Sequence, residues 1–221
     1  MKKKEILGKI DHSILKATST EQNVIQGCES VKNFEFATLC VLPKHTIIAS
    51  KILPREKIAT VIAFPLCGVT FNSMLFEIEQ SIISGTGELD VVLNISDVKE
   101  GKWGKIQKEF KEIRTVTKGV VIKLIMECCY LTEEEKKRAG IIAVNEEWDY
   151  LKTSTGYGIY GATEEDVKLL KEIAGKKAKV KASGGIKTAE DVIKFIKLGA
   201  DRIGTSSGER IAHEILHHRK V

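Results

Sequence analysis

The chain has 221 residues, 43% hydrophobic and 29% charged, enough to bury one sizeable core but short of a comfortable two-domain length. Its formal charge of +5, from 35 basic and 30 acidic residues, is interspersed along what read as helix faces, which favours a small anionic ligand over nucleic acid. Five cysteines, Cys28, Cys40, Cys67, Cys128 and Cys129, are odd in number and lack C-x-x-C spacing, so they read as reduced thiols, not as disulfides or zinc ligands.

The amino-terminal MKKKEILGKI starts like a signal peptide, but Asp11 and His12 stand where its apolar segment would follow, and no stretch reaches the length of a membrane span. A soluble, cytoplasmic protein without membrane or nucleic-acid partners is expected, one domain over residues 1–221.

From there, short β-branched runs alternate with longer amphipathic ones. Strands are expected at Ile10–Leu15, Phe36–Val41, Ala59–Phe64, Leu89–Ile95, Val121–Glu127, Tyr150–Ser154, Lys179–Ser183 and Arg202–Thr205. Helices are expected after hydroxyl caps at Thr20, Ser73, Thr132, Thr163 and Thr188, each followed within a few residues by an acid. A faint repeat relates GATEEDVKLL to IKTAEDVIKF, and GELDVV, EEWDYL and GADRIG each set an acid at a strand start. Eight βα units in this length fit the α/β class, as a single closed (β/α)8 TIM barrel, better than a doubly wound sheet.

Two strand ends carry a lysine where an apolar residue would be ordinary: Lys152 in WDYLKTSTGYGIY and Lys181 in AKVKASGGI. Either alone reads as a solvated charge. Two on neighbouring strands, each followed by small hydroxyl residues and glycines, point to an amine deprotonated by burial and by a second ammonium, hence a nucleophile toward carbonyls.

Two motifs tempt. Gly156-Tyr-Gly-Ile-Tyr-Gly161 matches G-x-G-x-x-G, but a dinucleotide site needs a ribose-binding acid about 20 residues later, and Lys179 and Lys181 occupy the next strand. His213-Glu-Ile-Leu-His217 matches H-E-x-x-H, yet a catalytic zinc needs a third ligand and a walled cavity, so the expectation is a solvated helix face and no metal. Ser183-Gly-Gly-Ile186 and Gly204-Thr-Ser-Ser-Gly208 offer bare amides and hydroxyls at the last two strand ends, where barrels commonly bind phosphate.

The ordered series IDHSILK (10–16), ATLCVLP (37–43), ATVIAFPL (59–66), ELDVVLNI (88–95), YLKTSTGYG (150–158), VKASGGIKT (180–188) and RIGTSSG (202–208) resembles the deoxyribose-phosphate aldolase family, from Ile10 to about Ile211. The resemblance implies cleavage of 2-deoxy-D-ribose 5-phosphate with no metal or organic cofactor. It further implies Lys152 as the Schiff-base lysine, Lys181 as its perturbing neighbour and Asp90 as a proton carrier, with phosphate contacts at Gly184, Gly185, Gly204, Ser206 and Ser207. A sugar phosphate is the expected partner, and a homo-oligomer the expected assembly. Asp90 rests mainly on that resemblance, because Asp149 and Asp201 share its strand-start setting. Lys123 faces either the barrel interior or solvent. Departures from the family pattern stand at Cys67-Gly-Val, at Met126-Glu-Cys-Cys and in the tail from Gly208. Another Schiff-base aldolase, an NADP-dependent reductase, or a phosphate-binding barrel without catalysis are the competing readings.

Overall fold

The computed structural model describes residues 1–217. Eight strands form a closed parallel barrel in sequence order, β1 pairing with both β2 and β8. The order is α1 (Lys3–Leu7), β1 (Ile10–Ile14), α2 (Glu21–Phe34), β2 (Thr38–Val41), α3 (Thr46–Ser50), β3 (Ile58–Ile62), α4 (Phe71–Ile83), β4 (Glu88–Val92), α5 (Ile95–Lys99), α6 (Trp103–Val116), β5 (Val121–Ile125), α7 (Glu133–Asn145), β6 (Tyr150–Lys152), α8 (Glu164–Ala174), β7 (Lys179–Ser183), α9 (Ala189–Lys197), β8 (Arg202–Thr205) and α10 (Gly208–His217). No helix among the described residues is long and apolar enough to cross a membrane.

All eight expected strands are present, the last two with the expected bounds, while β4, β5 and β6 stop two or three residues early. Their carboxyl ends leave the ladder to build loops. Asn94 turns to cap α5, its side chain accepting from the Asp97 amide at 3.2 Å, and Glu127 adopts φ +38°, which no strand residue can hold. Thr20, Thr132, Thr163 and Thr188 each accept a hydrogen bond from the amide three residues on, the bond that makes a hydroxyl a good first residue. The expected cap at Ser73 is corrected to Thr70: Thr70 is extended and its hydroxyl accepts from the Ser73 amide at 3.3 Å, so α4 begins at Phe71. Helix α6 lacks a side-chain cap, and without that signal it escapes a search for hydroxyls. It is held by burial of Ile106, Phe110 and Ile113, with the Trp148 ring 4.8 Å from that of Phe110.

The repeated acids divide into two kinds. Asp149 and Asp201 each precede a strand and accept from the amide of a residue in the preceding strand, Ile122 at 2.9 Å and Val180 at 3.0 Å. They tie the barrel's amino-terminal rim. Asp90 lies inside β4, two residues beyond Glu88 and on the same face, because side chains alternate along a strand.

Candidate active site

Strand register gathers the site. Lys152 of β6 pairs with Lys181 of β7, and Asp90 of β4 pairs with Lys123 of β5. All four side chains are buried, Lys152 at 3% exposure and the others at zero, so each charge requires a partner. Asp90 supplies it: Oδ1 accepts from Lys123 Nζ at 2.7 Å, and Oδ2 accepts from Lys152 Nζ at 2.8 Å and Lys181 Nζ at 2.7 Å. Of the two settings open to Lys123, the structure selects the interior.

The two strand-end lysines differ electrostatically. Burial moves Lys152 below the ordinary lysine value; Asp90 resists this and the Lys181 ammonium adds to it. Lys181 is also penalised by burial, yet Asp11, with Oδ2 2.6 Å from its Nζ, and Asp90 together hold it above the ordinary value. Lys123 is likewise held up against burial by Asp90 and Glu88. The Asp90 carboxyl, though buried, is kept well below its usual range by Lys123, Lys152 and Lys181. The site therefore pairs one amine inclined to neutrality with a fixed ammonium and a fixed carboxylate. Cys40 approaches the same carboxylate, Sγ at 4.0 Å from Oδ2, and burial raises its thiol, so it adds no charge.

Above Lys152 opens a cavity of about 380 Å³, within the range of small-ligand sites, whose lining includes Gly184, Gly185, Gly204, Thr205 and Ser206. Both glycine-bearing loops thus face one cavity with the amine at its floor. Ser207 is not among the lining residues, and its amide donates to Thr205 Oγ1 at 3.0 Å. Gly204 has a second duty: a Cβ there would lie 3.0 Å from Lys181 Cε, so glycine makes room for the buried lysine. Lys16 and Lys187 also line the cavity and bring positive charge to its mouth. Both lie inside motifs quoted above, but nothing in their spacing sets them apart from solvated lysines.

The loop after Lys152 is clasped from the loop that follows β5. Glu127 accepts from the Thr155 amide at 3.2 Å and from the Thr155 hydroxyl, and Thr155 Oγ1 accepts from the Tyr157 amide at 3.0 Å. Tyr157 then reaches across the mouth, donating to the Leu15 carbonyl at 2.8 Å and standing edge-on to Phe64. The Met126-Glu-Cys-Cys departure therefore supports the lysine's loop.

The G-x-G-x-x-G run serves packing, whereas the HEILH histidines, His213 and His217, stand on an exposed helix face, as expected. Gly161 lies so close to Gly184 that a Cβ would strike the Gly184 carbonyl, which accepts from the Ala162 amide at 3.1 Å. The G-x-G-x-x-G run thus lets two site loops touch. In HEILH, His213 stands edge-on to Phe34 and stacks with His217, while Glu214 accepts from the Ala189 amide at 2.7 Å at the start of α9. No group of three or more His, Cys, Asp or Glu among the described residues is arranged to hold a metal ion.

Residues 6–212 match the model of the DeoC/LacD family aldolases. The chain is 44% identical over 208 residues to a deoxyribose-phosphate aldolase of Carboxydothermus hydrogenoformans, covering 91% of each chain. It is 44% identical over 205 residues to that of Clostridioides difficile, covering 92% of this chain and 94% of the relative. Among solved structures, an aldolase called QR15 superposes with TM-score 0.92 at 39% identity, covering 96% of both chains. A deoxyribose phosphate aldolase from Aeropyrum pernix, described as having a unique tetrameric structure, superposes with TM-score 0.87 at 27% identity over 98% of this chain and 93% of that one.

Proposed function

The chain belongs to the DeoC/LacD family of aldolases, and from that premise we propose that it reversibly cleaves 2-deoxy-D-ribose 5-phosphate to D-glyceraldehyde 3-phosphate and acetaldehyde, with Lys152 forming the Schiff base. The asymmetry of the two buried lysines carries the assignment of roles. Lys152 borders the cavity and is pushed toward the free amine, whereas Lys181 is pinned as an ammonium between Asp11 and Asp90.

The chemistry follows from that pairing. The neutral amine adds to the C1 aldehyde, and loss of water gives an imine whose protonated form draws electrons from the C2–C3 bond. Removal of the C3 hydroxyl proton breaks that bond, releasing glyceraldehyde 3-phosphate and leaving an enamine on Lys152. Protonation of the enamine carbon and addition of water release acetaldehyde and restore the amine. Asp90, with Lys181 and water, is the proposed carrier of these protons, since its carboxylate touches both lysines.

Borohydride reduction in the presence of acetaldehyde, followed by peptide mapping, tests the assignment. A stoichiometric ethyl adduct on Lys152 is the expected result, and an adduct on Lys181 would reverse the two roles. Cleavage of deoxyribose 5-phosphate without any trappable adduct would remove the imine from the reaction.

We assign the substrate phosphate to the cavity end formed by Gly184, Gly185, Gly204 and Ser206, with Lys16 and Lys187 adding charge. Ser207, named by resemblance, would contribute from outside the lining. Ser206→Asp should raise KM for deoxyribose 5-phosphate by roughly tenfold or more, the effect of about 1.4 kcal/mol of charge repulsion, and leave unphosphorylated deoxyribose nearly unaffected. Equal losses on both substrates would place the phosphate elsewhere. A homo-oligomer in the cytoplasm completes the proposal. The tetrameric relative supports the first, and five cysteines, all free and four of them buried, suit a reducing compartment.

A further inference from the structure

The ion pairs around Asp90 continue below the layer that holds Lys152 and close on themselves. Lys123 Nζ lies 2.6 Å from Glu88 Oε2, and Glu88 Oε1 accepts from Arg202 Nη2 at 3.0 Å. Arg202 Nη1 donates to Asp11 Oδ1 at 2.5 Å, Asp11 Oδ2 lies 2.6 Å from Lys181 Nζ, and Lys181 returns to Asp90 at 2.7 Å. Starting from Asp90, the order is acid, base, acid, base, acid, base. With all six groups ionised the ring is neutral and every carboxylate oxygen in it faces a cation. Lys152 joins from outside, at Asp90 Oδ2.

Resting on the assignment of Lys152 as the reacting amine, we propose that Arg202 and Glu88 are positioning residues for the aldol reaction: they close a neutral ring that fixes Asp90 and Lys181 and leaves Lys152 as the group the buried site holds uncharged. Neither borders the cavity. A proton on Lys152 would give the cluster a surplus positive charge with no counterion of its own, which burial penalises. The ring therefore supplies a charge-balance reason for a free amine at that position.

The groups facing Lys152 are Asp90, Lys181 and the Cys40 thiol, with Lys123 and Asp11 beyond them. Those facing Arg202 are Asp11, Glu88 and the ring of Tyr150, which stands 5.9 Å from the guanidinium carbon. Lys123 and Lys179 lie over that same ring at 5.9 and 5.6 Å. Removing Arg202 turns the ring net negative and should favour the ammonium at Lys152. Removing the Glu88 charge turns it net positive and should favour the amine.

The two limbs therefore predict opposite signs. Acetaldehyde trapping rate, read with cyanoborohydride against pH, should show its midpoint moved up by about one pH unit in Arg202→Met and down by a similar amount in Glu88→Gln. One unit is the scale expected of a charge about 10 Å away at an effective dielectric of about 20. The double variant, neutral again, should return to within roughly a third of a unit of wild type, and Arg202→Lys should stay close to it. A network serving only to hold the barrel together would lower folding yield or rate without moving midpoints. Midpoints that coincide, or that move in the same direction in both single variants, overturn the proposal while wild-type trapping at Lys152 leaves the aldolase assignment standing. Should Arg202→Met fail to fold, Glu88→Gln decides alone, and an unmoved or alkaline-shifted profile overturns it. Absence of any wild-type adduct at Lys152 sinks its assignment as the reacting amine and the ring with it.

Discussion

Lys152→Met should abolish cleavage of deoxyribose 5-phosphate, with kcat falling by at least about 10⁴, or ~5.5 kcal/mol of barrier, while the fold persists. Methionine nearly matches the lysine's length, and the six-membered ring below is neutral without the seventh charge, so the substitution leaves no carboxylate unpaired: Asp90 retains Lys123 and Lys181. The melting temperature should stay within a few degrees, because a buried, volume-conserving exchange costs roughly 1.5 kcal/mol or less. Lys181 cannot stand in for the lost amine, since Asp11 and Asp90 keep it protonated. Lys152→Arg should be equally inactive and clearly less stable, as it fixes the surplus charge permanently in the buried site. Product formation, acetaldehyde trapping and thermal unfolding of the two variants check this together. Residual activity of a few per cent accompanied by an adduct on Lys181 would show that the two lysines are interchangeable.

Apart from the family resemblance, nothing local in the sequence distinguishes the charge states of the two lysines. Each is visible as a lysine in a strand that would otherwise be apolar, and each is followed by the glycines that open the cavity. What separates them is Asp11, which sits two residues before Ser13 in β1 and gives Lys181 its second counterion. In the sequence Asp11 reads as an interruption of an apolar segment, because its partners lie on β7 and β8, 170 or more residues away. Glu88 and Arg202 likewise meet only across the closed barrel, 114 residues apart in the chain. One local signal lies in β4: Glu88 and Asp90 are charged residues two apart in a strand, and a period of two places both on one face. Two charges on the inner face of a barrel strand require a buried partner set. The sequence cannot say which residues complete it, because that follows from barrel closure.

Eight strands and the capped helices are legible because β-branched runs and hydroxyl caps are local. The strand ends are not. β6 has three residues, and the rest of its expected run, Thr153 and Ser154, is buried and β-like in composition. Thr153 still receives support from β7, its amide donating to the Lys181 carbonyl at 3.0 Å and its hydroxyl accepting from the Ser183 amide at 3.0 Å. The chain leaves the ladder there because Thr155 is drawn to Glu127 on the neighbouring loop. Tertiary contact overrides strand propensity at the place where the cavity begins.

Asp90→Asn should separate imine formation from bond cleavage. Asparagine keeps the shape of the carboxyl but withdraws the charge on which Lys123, Lys152 and Lys181 converge. Breaking a buried charge pair from one side typically costs about 3–5 kcal/mol, so a lower melting temperature is expected. The effect on Lys152 has the opposite sense from a general loss of function. Asp90 is the group that favours its ammonium, and without it the amine should be neutral at lower pH. Acetaldehyde trapping at Lys152 should therefore persist, with its pH profile shifted toward acid. Cleavage should nevertheless fall by roughly 10²–10⁴, the range for a lost proton carrier. Lys123 and Lys181 hold Asp90 ionised in the resting site, so a proton taken from the C3 hydroxyl would not remain there. It would pass on to water or the enamine, which suits a relay more than a store. The ratio of trapping rate to cleavage rate, measured at one pH for wild type and variant, decides between this role and a purely electrostatic one. A ratio rising by about 10² or more is the expected outcome, whereas a parallel fall in both would make Asp90 an anchor for the lysines that carries no protons.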